Sequence, residues 1–376
     1  MNNKKMKIVH IAQANGGVEV YLKMFFKYIN KDIYDNYLIL SEQYKKSKIY
    51  FEKLGVKVFI VDMKREISIG KDFESMIKIY KVLKDIKPDI VYTHSSKAGG
   101  LGRIPAKLVG ARNIYNPHGW AFDMNVSNKK KIMFKYVEKI LGYITNEIIA
   151  ISQYEKNIAI RENIIRENKI SVIENAIDLD NFNKNYDSKK LLDELKWDEG
   201  CIIIGMIARL SEQKSPHTFL DIAIKLSNKY PECRFLMVGD GNQRDEIEYR
   251  IKDNNLQDKF YITGWVDNPY KYLNIFNIAL LTSKWEGFGL VIPEYMAAQK
   301  PIVASNIGGI ANIIEDGNNG FLIDNLNVNE FVEKIIKIIE SDKVKRKLVK
   351  NAYQTIIKKY DFKRVVDQHV KLFNIN

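Results

Sequence analysis

The sequence predicts two α/β domains in series, each built on a doubly wound parallel sheet. Short apolar runs rich in β-branched residues alternate with segments of helical length almost to the end of the chain, which is typical of right-handed βαβ units. A polar, mostly charged segment at 181–200 interrupts this alternation and is predicted to link domains 1–180 and 201–360. The 376 residues suffice for two domains that each bury a core. Two such domains should face each other across a cleft.

Thirteen runs are predicted to be strands. They are 7–13, 37–41, 56–61, 90–93, 113–116, 148–152 and 170–173 in the first half, and 202–208, 234–238, 260–263, 278–282, 301–304 and 321–323 in the second. Doubly wound sheets bind ligands at the carboxyl ends of their strands. We therefore expect the functional residues in the loops that follow these strands.

The composition is that of a soluble globular protein, with 46% apolar and 28% charged residues. No run of about 18 apolar residues occurs, so no transmembrane helix is predicted. The first strand is too short for the core of a signal peptide, and no cleavage site follows it. Cys201 and Cys233 are predicted to be buried free thiols of a reducing compartment. The expected location is the cytoplasm.

The net charge of +13 lies mainly in the first half, where residues 1–180 hold 31 Lys and Arg against 20 Asp and Glu. Such asymmetry indicates contact with a polyanion or an anionic membrane, although a solvated Lys-rich surface would look the same. Segment 129–141 is basic and amphipathic at helical spacing. It could lie on an anionic bilayer, or it could be an ordinary exterior helix whose apolar stripe faces the core.

Three loops of the first half follow predicted strands and contain candidate binding groups. Gly16 and Gly17 can present backbone N–H groups to a phosphate or can simply form a tight turn. His118, between Pro117 and Gly119, could hydrogen-bond a hydroxyl or could be structural. Segment 94–100 is a candidate loop for a second substrate.

In the second half, Arg209 and Lys214 follow a strand and are suited to gripping a diphosphate, with surface ion pairing as the alternative. Gly239 and Gly264 each mark a turn after a strand and are candidate walls of a pocket. Asp178-Leu179-Asp180 has the D-x-D spacing of some metal sites, but its position favours a turn at the exit from the first domain.

The segment 285–294 reads W-E-G-F-G-L-V-I-P-E and places Glu286 and Glu294 on either side of a Gly-Phe-Gly break. A strand precedes it and a helix is predicted to begin near Pro293. Glycines allow the backbone to approach a ligand, and two acids beside a phosphate site suit a ligand that also has hydroxyls. A capped turn with a solvated Glu286 is the alternative.

In order and spacing these motifs resemble those of the retaining glycosyltransferases of family 4, which have the GT-B fold of two Rossmann-like domains. Residues 16–17 resemble the family's glycine loop, 175–182 its N-G-V-D-x-x-x-F segment, and 208–214 its G-R-L-x-x-x-K loop. Residues 286–294 resemble its E-x7-E signature, and 308–309 its following glycine pair. The resemblance covers nearly the whole chain.

Two residues depart from the family pattern. Ala176 stands where Gly is usual, and Ser215 stands where Gly or Asn is usual. The C-terminal helix, 361–376, is expected to return to the N-terminal domain, as it does in this fold.

The resemblance implies a role for each motif residue. Arg209 and Lys214 would bind the donor diphosphate, and Gly17 would approach it from the other domain. Glu294 would hold the ribose hydroxyls, and Glu286 a hydroxyl of the donor sugar. The other residues predicted at the donor are Gly16, Gly239, Gly264, Gly287, Phe288, Gly289, Leu290 and Val291.

On the first domain, the resemblance makes His118 the histidine of the cleft and a catalytic residue together with Glu286, Arg209 and Lys214. The acceptor-side residues are predicted to be His94, Ser95 and Lys97. The family generally needs no metal, so no metal or cofactor is expected besides the nucleotide sugar as co-substrate. Cations would stabilise the departing diphosphate, domain closure would exclude water, and no carboxylate nucleophile is assigned.

The implied activity is transfer of a hexosyl group from a nucleotide-diphosphate sugar, expected to be a UDP-sugar. The expected acceptor is a lipid-linked saccharide or a polysaccharide at the cytoplasmic face of the membrane, as in capsule synthesis in bacteria. A nucleotide-sugar epimerase of the same fold is the alternative. A nucleic-acid-binding protein would fit the net charge, but no recognised nucleic-acid motif is present, so nucleic acid is not an expected partner.

Overall fold

The computed structural model describes residues 5–13, 16–64, 66–123, 127–182 and 186–375. They form two compact units, one of Met1–Asn175 with Phe362–Asn376 and the other of Ala176–Asp361. The chain therefore passes from one unit to the other twice.

The first unit contains a parallel sheet of seven strands in the order β3-β2-β1-β4-β5-β6-β7. The strands are β1 Met6–Ala12, β2 Tyr34–Leu40, β3 Lys57–Ile60, β4 Ile90–His94, β5 Arg112–Asn116, β6 Glu147–Ala150 and β7 Ile170–Val172. Its helices are α1 Gly17–Tyr28, α2 Lys48–Lys53, α3 Ile69–Ile86, α4 Ser95–Leu108, α5 Asn128–Gly142, α6 Gln153–Arg161 and, from the C-terminus, α15 Phe362–Phe373.

The second unit contains a parallel sheet of six strands in the order β10-β9-β8-β11-β12-β13. The strands are β8 Ile202–Ile207, β9 Cys233–Val238, β10 Phe260–Ile262, β11 Ile278–Leu281, β12 Ile302–Ser305 and β13 Phe321–Ile323. Its helices are α7 Ser188–Leu195, α8 Pro216–Lys229, α9 Arg244–Asp253, α10 Tyr270–Leu273, α11 Val291–Ala297, α12 Ile310–Ile313, α13 Val328–Glu340 and α14 Asp342–Lys359.

Both sheets are doubly wound, and each of the thirteen predicted strands is present within a few residues of its expected bounds. The strand order reverses between β1 and β4 in one sheet and between β8 and β11 in the other. In sheets of this kind ligands bind outside the carboxyl ends of the strands at the point of reversal. These two edges are where the predicted site residues must be sought.

The predicted return of the C-terminal helix to the first unit is confirmed. Helix α15 buries Val365 and Leu372, and its His369 is fully buried. The Arg112 guanidinium donates to the carbonyl oxygen of Leu372 at 2.8 Å and to that of Ile375 at 2.9 Å. These bonds satisfy carbonyl groups at the end of the helix that have no partner within it.

The segment 181–200 differs from the linker that the sequence predicts, because it belongs to the second unit. It contains α7, and Trp197 just beyond the helix is buried and donates its indole N–H to the carbonyl oxygen of Asp258. A short amphipathic helix has many polar residues and yet packs through one face, so composition alone did not distinguish it from a linker. Of the two free cysteines, Cys233 is buried, but Cys201 is partly exposed because it lies just before β8.

Helix α5 is the predicted basic amphipathic segment, and its apolar side chains are largely exposed. Only Glu138, Leu141 and Gly142 are buried in it. The alternative of an ordinary exterior helix accounts for Phe134 and Leu141, which face the core, but not for the other apolar residues. Large apolar residues are exposed along α5 and at its end: Ile132, Met133, Tyr136, Val137, Ile140 and Tyr143. In the described part of the chain, no helix is both long and apolar enough to cross a membrane.

Candidate functional site

The carboxyl ends of β8 and β11 hold most of the charged residues predicted from the sequence. Arg209 and Lys214 follow β8, Glu286 follows β11, and Glu294 lies in α11. Because β8 and β11 are neighbours at the point where the strand order reverses, this edge of the second unit has the position expected of a ligand site.

Hydrogen bonds join the loop after β8 to the loop after β11. Thr282 donates its hydroxyl to the carbonyl oxygens of Lys214 and Ser215 at 2.9 and 3.1 Å, and the Lys284 N–H donates to the Gln213 carbonyl at 2.7 Å. Ser215 is buried with φ of 45°, the left-handed conformation that Gly and Asn favour. The departure from the family pattern therefore leaves the turn intact.

These hydrogen bonds between the two loops bring Lys214 and Glu286 into direct contact. The Lys214 ammonium forms an ion pair with Glu286 Oε1, and the Ser283 hydroxyl donates to the same oxygen at 2.8 Å. The Lys214 and Glu286 side chains are only 20% and 9% exposed. The sequence predicts that one ligand contacts both residues. Such a ligand must place an anionic group, for Lys214, beside a hydrogen-bond donor, for Glu286. The sequence did not predict this pair or the part played by Ser283.

Arg209 is a second cation on the same loop. Its side chain is exposed, and no other residue in the described ranges engages its guanidinium by a hydrogen bond or an ion pair. Its exposed guanidinium, on the same loop as Lys214, is available for an anionic ligand.

Two glycines set the shape of the loop around Glu286. Gly308 has φ of 44°, and a Cβ on this residue would lie 2.0 Å from the Glu286 carbonyl oxygen. A Cβ on Gly309 would lie 2.2 Å from the Gly287 carbonyl oxygen. The Gly309 N–H donates to the Glu286 carbonyl at 3.2 Å. The glycine pair is thus required for the close approach of these two loops.

Gly239 similarly allows the loop after β9 to run against the loop that holds Arg209. A Cβ on Gly239 would lie 2.1 Å from the carbonyl oxygen of Ala208, and the Gly239 N–H donates to the Thr263 hydroxyl at 3.2 Å. Gly264, next to Thr263, has φ of 71°. Contact of Gly239 and Gly264 with a donor stays a prediction, but their packing role is evident.

Glu294 is partly buried, like Glu286, and contacts a residue outside the loop. The Tyr270 hydroxyl donates to Glu294 Oε1 at 3.2 Å, and the Tyr270 ring meets that of Phe182 edge to face at 5.0 Å. Burial raises the pKa of Glu294 to about 7, while the Tyr270 hydrogen bond and the charge of Lys214 act in the opposite direction. Tyr270 lies outside every motif, so the sequence offered no signal for it.

Between the two acids, Phe288 and Val291 face inward, whereas Leu290 is partly exposed. Phe288 is buried and its ring packs 5.8 Å from that of Tyr360, and Val291 is buried too. Gly289 has φ of 80°. For Phe288, Gly289 and Val291, the predicted ligand contact is therefore left to the backbone, and Leu290 has a partly exposed side chain.

In the first unit, the predicted residues lie at the carboxyl ends of β1, β4 and β5. Gly16 has φ of 56° and immediately precedes α1, which begins at Gly17. The preceding residues of this glycine loop, Ala14 and Asn15, lie outside the described residues. Contact of Gly16 and Gly17 with a donor stays a prediction.

The acceptor-side residues predicted at the start of α4 differ in accessibility. Ser95 is partly exposed with φ of 71°. Lys97 forms an ion pair with Asp72 at 2.6 Å and donates to the Glu66 carbonyl at 3.0 Å. His94 is fully buried, because it ends β4 between two neighbouring strands, so its side chain has no exposed surface for the predicted acceptor contact.

His118 lies just beyond β5 in a left-handed conformation, with φ of 49°. Its backbone N–H donates to the Asn116 side-chain oxygen at 2.9 Å, and its Nε2 lies 3.0 Å from His94 Nδ1. Because His118 is only partly buried, it is the histidine of this edge that a ligand can reach.

The D-x-D segment forms the turn that the sequence favours. Asp178 is buried and its Oδ1 accepts from the Asp180 N–H at 3.2 Å. Among the residues that the structure describes, no grouping of three or more His, Cys, Asp or Glu could hold a metal ion.

Comparisons with protein families match both units. The model described as "Glycosyltransferase Family 4" matches residues 15–181, and that described as "Glycosyl transferases group 1" matches residues 187–355. A relative from Escherichia coli, named UDP-Gal:alpha-D-GlcNAc-diphosphoundecaprenol alpha-1,3-galactosyltransferase, is 31% identical over 99% of this chain and 97% of its own length. The Staphylococcus aureus capsular polysaccharide biosynthesis glycosyltransferase CapM is 24% identical over the same shares.

Solved structures show the same fold. The Anabaena protein HepE, crystallised with UDP and glucose, superimposes with a TM-score of 0.85 at 23% identity, covering 98% of this chain and 99% of that one. Sucrose-phosphate synthase from Thermosynechococcus elongatus gives a TM-score of 0.80 at 17% identity, covering 98% of each chain. At these identities the likeness concerns the fold alone.

Proposed function

Because this chain belongs to the family 4 glycosyltransferases, enzymes of the GT-B fold, we propose that it transfers a sugar from a UDP-sugar to a lipid-linked saccharide or a polysaccharide. We propose that it does so with retention of anomeric configuration. The relatives named for galactosyl transfer to a diphosphoundecaprenol acceptor and for capsule synthesis support this proposal, as do the fold neighbours solved with UDP.

The observation that carries the donor assignment is the contact between Lys214 and Glu286, together with the exposed Arg209 on the same loop as Lys214. A nucleotide-diphosphate sugar places a diphosphate directly next to sugar hydroxyls. Arg209 and Lys214 would neutralise the diphosphate, and the Glu286 carboxylate would accept from a hydroxyl of the transferred sugar.

The chemical step requires stabilisation of the leaving diphosphate as negative charge develops on it. Cations held in place before the reaction supply this without reorganisation, and Lys214 is held by Thr282 and Glu286. In the proposed front-face route, the departing phosphate accepts the proton of the attacking hydroxyl, so the chain needs no carboxylate nucleophile. Glu294 would accept from the ribose hydroxyls.

The first test is a screen of nucleotide sugars for release of the nucleoside diphosphate in the presence of a lipid-linked acceptor. Arg209→Ala should lower kcat/KM by about a hundredfold, since a charge-assisted contact to phosphate is worth roughly 2–3 kcal/mol. Arg346→Ala is the matched control, because Arg346 is 84% exposed on α14.

Three results would contradict the proposal. Full activity of Arg209→Ala would remove the donor assignment. Inversion of the anomeric centre, seen by NMR of the product, would remove the retaining mechanism. An altered sugar nucleotide formed from the donor alone would identify an epimerase instead.

The exposed face of α5 supports a peripheral position on an anionic membrane, where a lipid-linked acceptor would be found. Its apolar side chains stand beside the lysines of the helix: Lys129, Lys130, Lys131, Lys135 and Lys139. Apolar insertion together with attraction to anionic headgroups is the usual way in which such helices bind bilayers.

This part is tested by sedimentation with vesicles of phosphatidylcholine, with and without phosphatidylglycerol. Replacing Lys129, Lys130 and Lys131 with Gln should weaken binding to the anionic vesicles by about a hundredfold, at roughly 1 kcal/mol for each lysine near the surface. The same change at the exposed Lys343, Lys350 and Lys358 of α14 is the control. Equal binding of both variants would exclude α5 as the membrane contact.

A further inference from the structure

Four of the five histidines in this chain lie together in the first unit, and three of them are joined end to end. His10 Nδ1 lies 3.0 Å from His94 Nε2, and His94 Nδ1 lies 3.0 Å from His118 Nε2. The planes of neighbouring rings differ by only 13° and 27°. The strands determine this arrangement, because β1, β4 and β5 are adjacent and the histidines lie on or just beyond them.

Lowered pKa values favour the neutral form of all three rings. Burial lowers the pKa of His10 and of His118 to about 3, and it lowers the pKa of His94 well below its usual range. A neutral imidazole has one N–H and one bare nitrogen. Each of the two contacts needs one donor and one acceptor, so the N–H groups must all point the same way along the chain of rings.

The two ends of the chain of rings decide between the two possible directions. At the inner end, His10 Nε2 is buried and has no hydrogen-bond partner among the residues that the structure describes. The Phe25 and Phe26 rings lie 5.2 and 4.9 Å from the His10 ring. An N–H on that nitrogen would be a buried donor without an acceptor, which folded proteins avoid. At the outer end, the partly exposed His118 has only Nδ1 left for a ligand.

We propose that His10 and His94 fix the tautomer of His118, so that all three rings are protonated on Nδ1 and His118 Nδ1 offers an N–H to an oxygen atom of the ligand. His10 donates to His94, and His94 donates to His118. His94 and His10 are thus positioning residues, and His118 is a hydrogen-bond donor at this edge. That the oxygen belongs to the transferred sugar rests on the proposed function.

A second group of residues holds these rings in place. The Tyr92 ring lies 4.1 Å from the His94 ring, and the edge of Tyr21 meets His118 at 4.9 Å. Both tyrosine hydroxyls lie within 3.0 Å of His369 Nε2. His369 Nδ1 lies 2.7 Å from the Val365 carbonyl, which can only accept, so His369 is also protonated on Nδ1.

The direct test is the tautomer of each histidine, measured by long-range ¹H–¹⁵N NMR on the full chain labelled with ¹⁵N-histidine and free of substrate. Single substitutions assign the five signals, and His369 is the internal reference for protonation on Nδ1. We expect His118 Nδ1 to be of the N–H type and His118 Nε2 to be the bare nitrogen. Protonation of His118 on Nε2, with the His10 N–H directed at the Phe rings, would overturn the proposal.

A pair of substitutions tests the causal link. The amide nitrogen of Asn occupies the place of an imidazole Nδ1, and that of Gln the place of Nε2. His94→Asn should keep the donor to His118 and its tautomer, whereas His94→Gln should release His118 into a mixture of tautomers. The same tautomer of His118 in both variants would overturn the proposal, and the wild-type spectrum remains decisive if either variant does not fold.

Steady-state kinetics test whether the tautomer of His118 affects sugar transfer. In sugar transfer, kcat/KM of His94→Gln should fall below that of His94→Asn by about tenfold or more, the cost of a misdirected hydrogen bond. His217→Asn, on α8 of the second unit, is the control. If the protein turns over no donor, the proposed function fails, but the tautomers can still be measured. If sugar transfer occurs and the two variants are equally active, the role of the His118 tautomer in binding is refuted.

Discussion

Replacing Glu294 with Gln should make the ligand-free protein more stable and should weaken donor binding. Burial raises the pKa of this carboxyl to about 7 from its ordinary value of 4.5, so ionised Glu294 is unfavourable in the folded state at neutral pH. Gln has nearly the same shape and can still accept from Tyr270, but it has no charge to desolvate.

The magnitude follows from linkage. An acid whose pKa is raised by folding binds more protons folded than unfolded between the two pKa values. Its contribution to the free energy of unfolding therefore falls as the pH rises from 4.5 to 7 and is constant above that. At 1.36 kcal/mol per pKa unit, Glu294→Gln should raise the free energy of unfolding by about 3 kcal/mol at pH 8 and by less than about 1 kcal/mol at pH 5.

Urea unfolding followed by tryptophan fluorescence is the appropriate assay, because Trp197, Trp265 and Trp285 lie in the second unit and only Trp120 in the first. Glu199→Gln is the control, since Glu199 is 70% exposed and its pairing contributes little. Donor affinity, measured by calorimetry, should fall about tenfold as the charge-assisted bonds to the ribose are lost. Equal or lower stability of Glu294→Gln at pH 8, or a gain that does not change with pH, would refute the reasoning.

Three other substitutions or conditions have expected outcomes. Gly308→Ala should lower the free energy of unfolding by about 1–3 kcal/mol and reduce sugar transfer, because the backbone has φ of 44° and the new Cβ would clash with the Glu286 carbonyl. The control is Gly100→Ala inside α4, where the new Cβ meets open space, and this change should not destabilise the protein. Glu138→Gln should cost about 3–5 kcal/mol in urea unfolding, because it leaves the buried Arg103 guanidinium without its anionic partner at 2.7 Å; a cost near zero would mean that the pair is not buried. Sugar transfer should continue in EDTA, since Arg209 and Lys214 supply the charge that a divalent cation would supply, and loss of activity that Mg²⁺ or Mn²⁺ restores would contradict this.

The sequence alone predicted the fold correctly and indicated where along the chain the candidate site lies. Alternation of β-branched runs and helical segments predicts parallel sheets because each strand must be followed by a crossover, and all thirteen strands were found this way. The loops after β8 and β11 were identified because a doubly wound sheet binds ligands at that edge. Ser215 shows that even a departure from the family pattern can be accommodated by local backbone geometry.

Tertiary structure decided which side chains meet. The ion pair of Lys214 with Glu286 joins residues 72 positions apart, and the contact of Tyr270 with Glu294 depends on α10 packing near α11; no local pattern encodes either one. His94 is adjacent to His118 only because β4 and β5 are neighbours in the sheet. Local sequence determines which segments become strands and helices, but burial, pKa and hydrogen-bond direction depend on groups that folding brings together from distant parts of the chain.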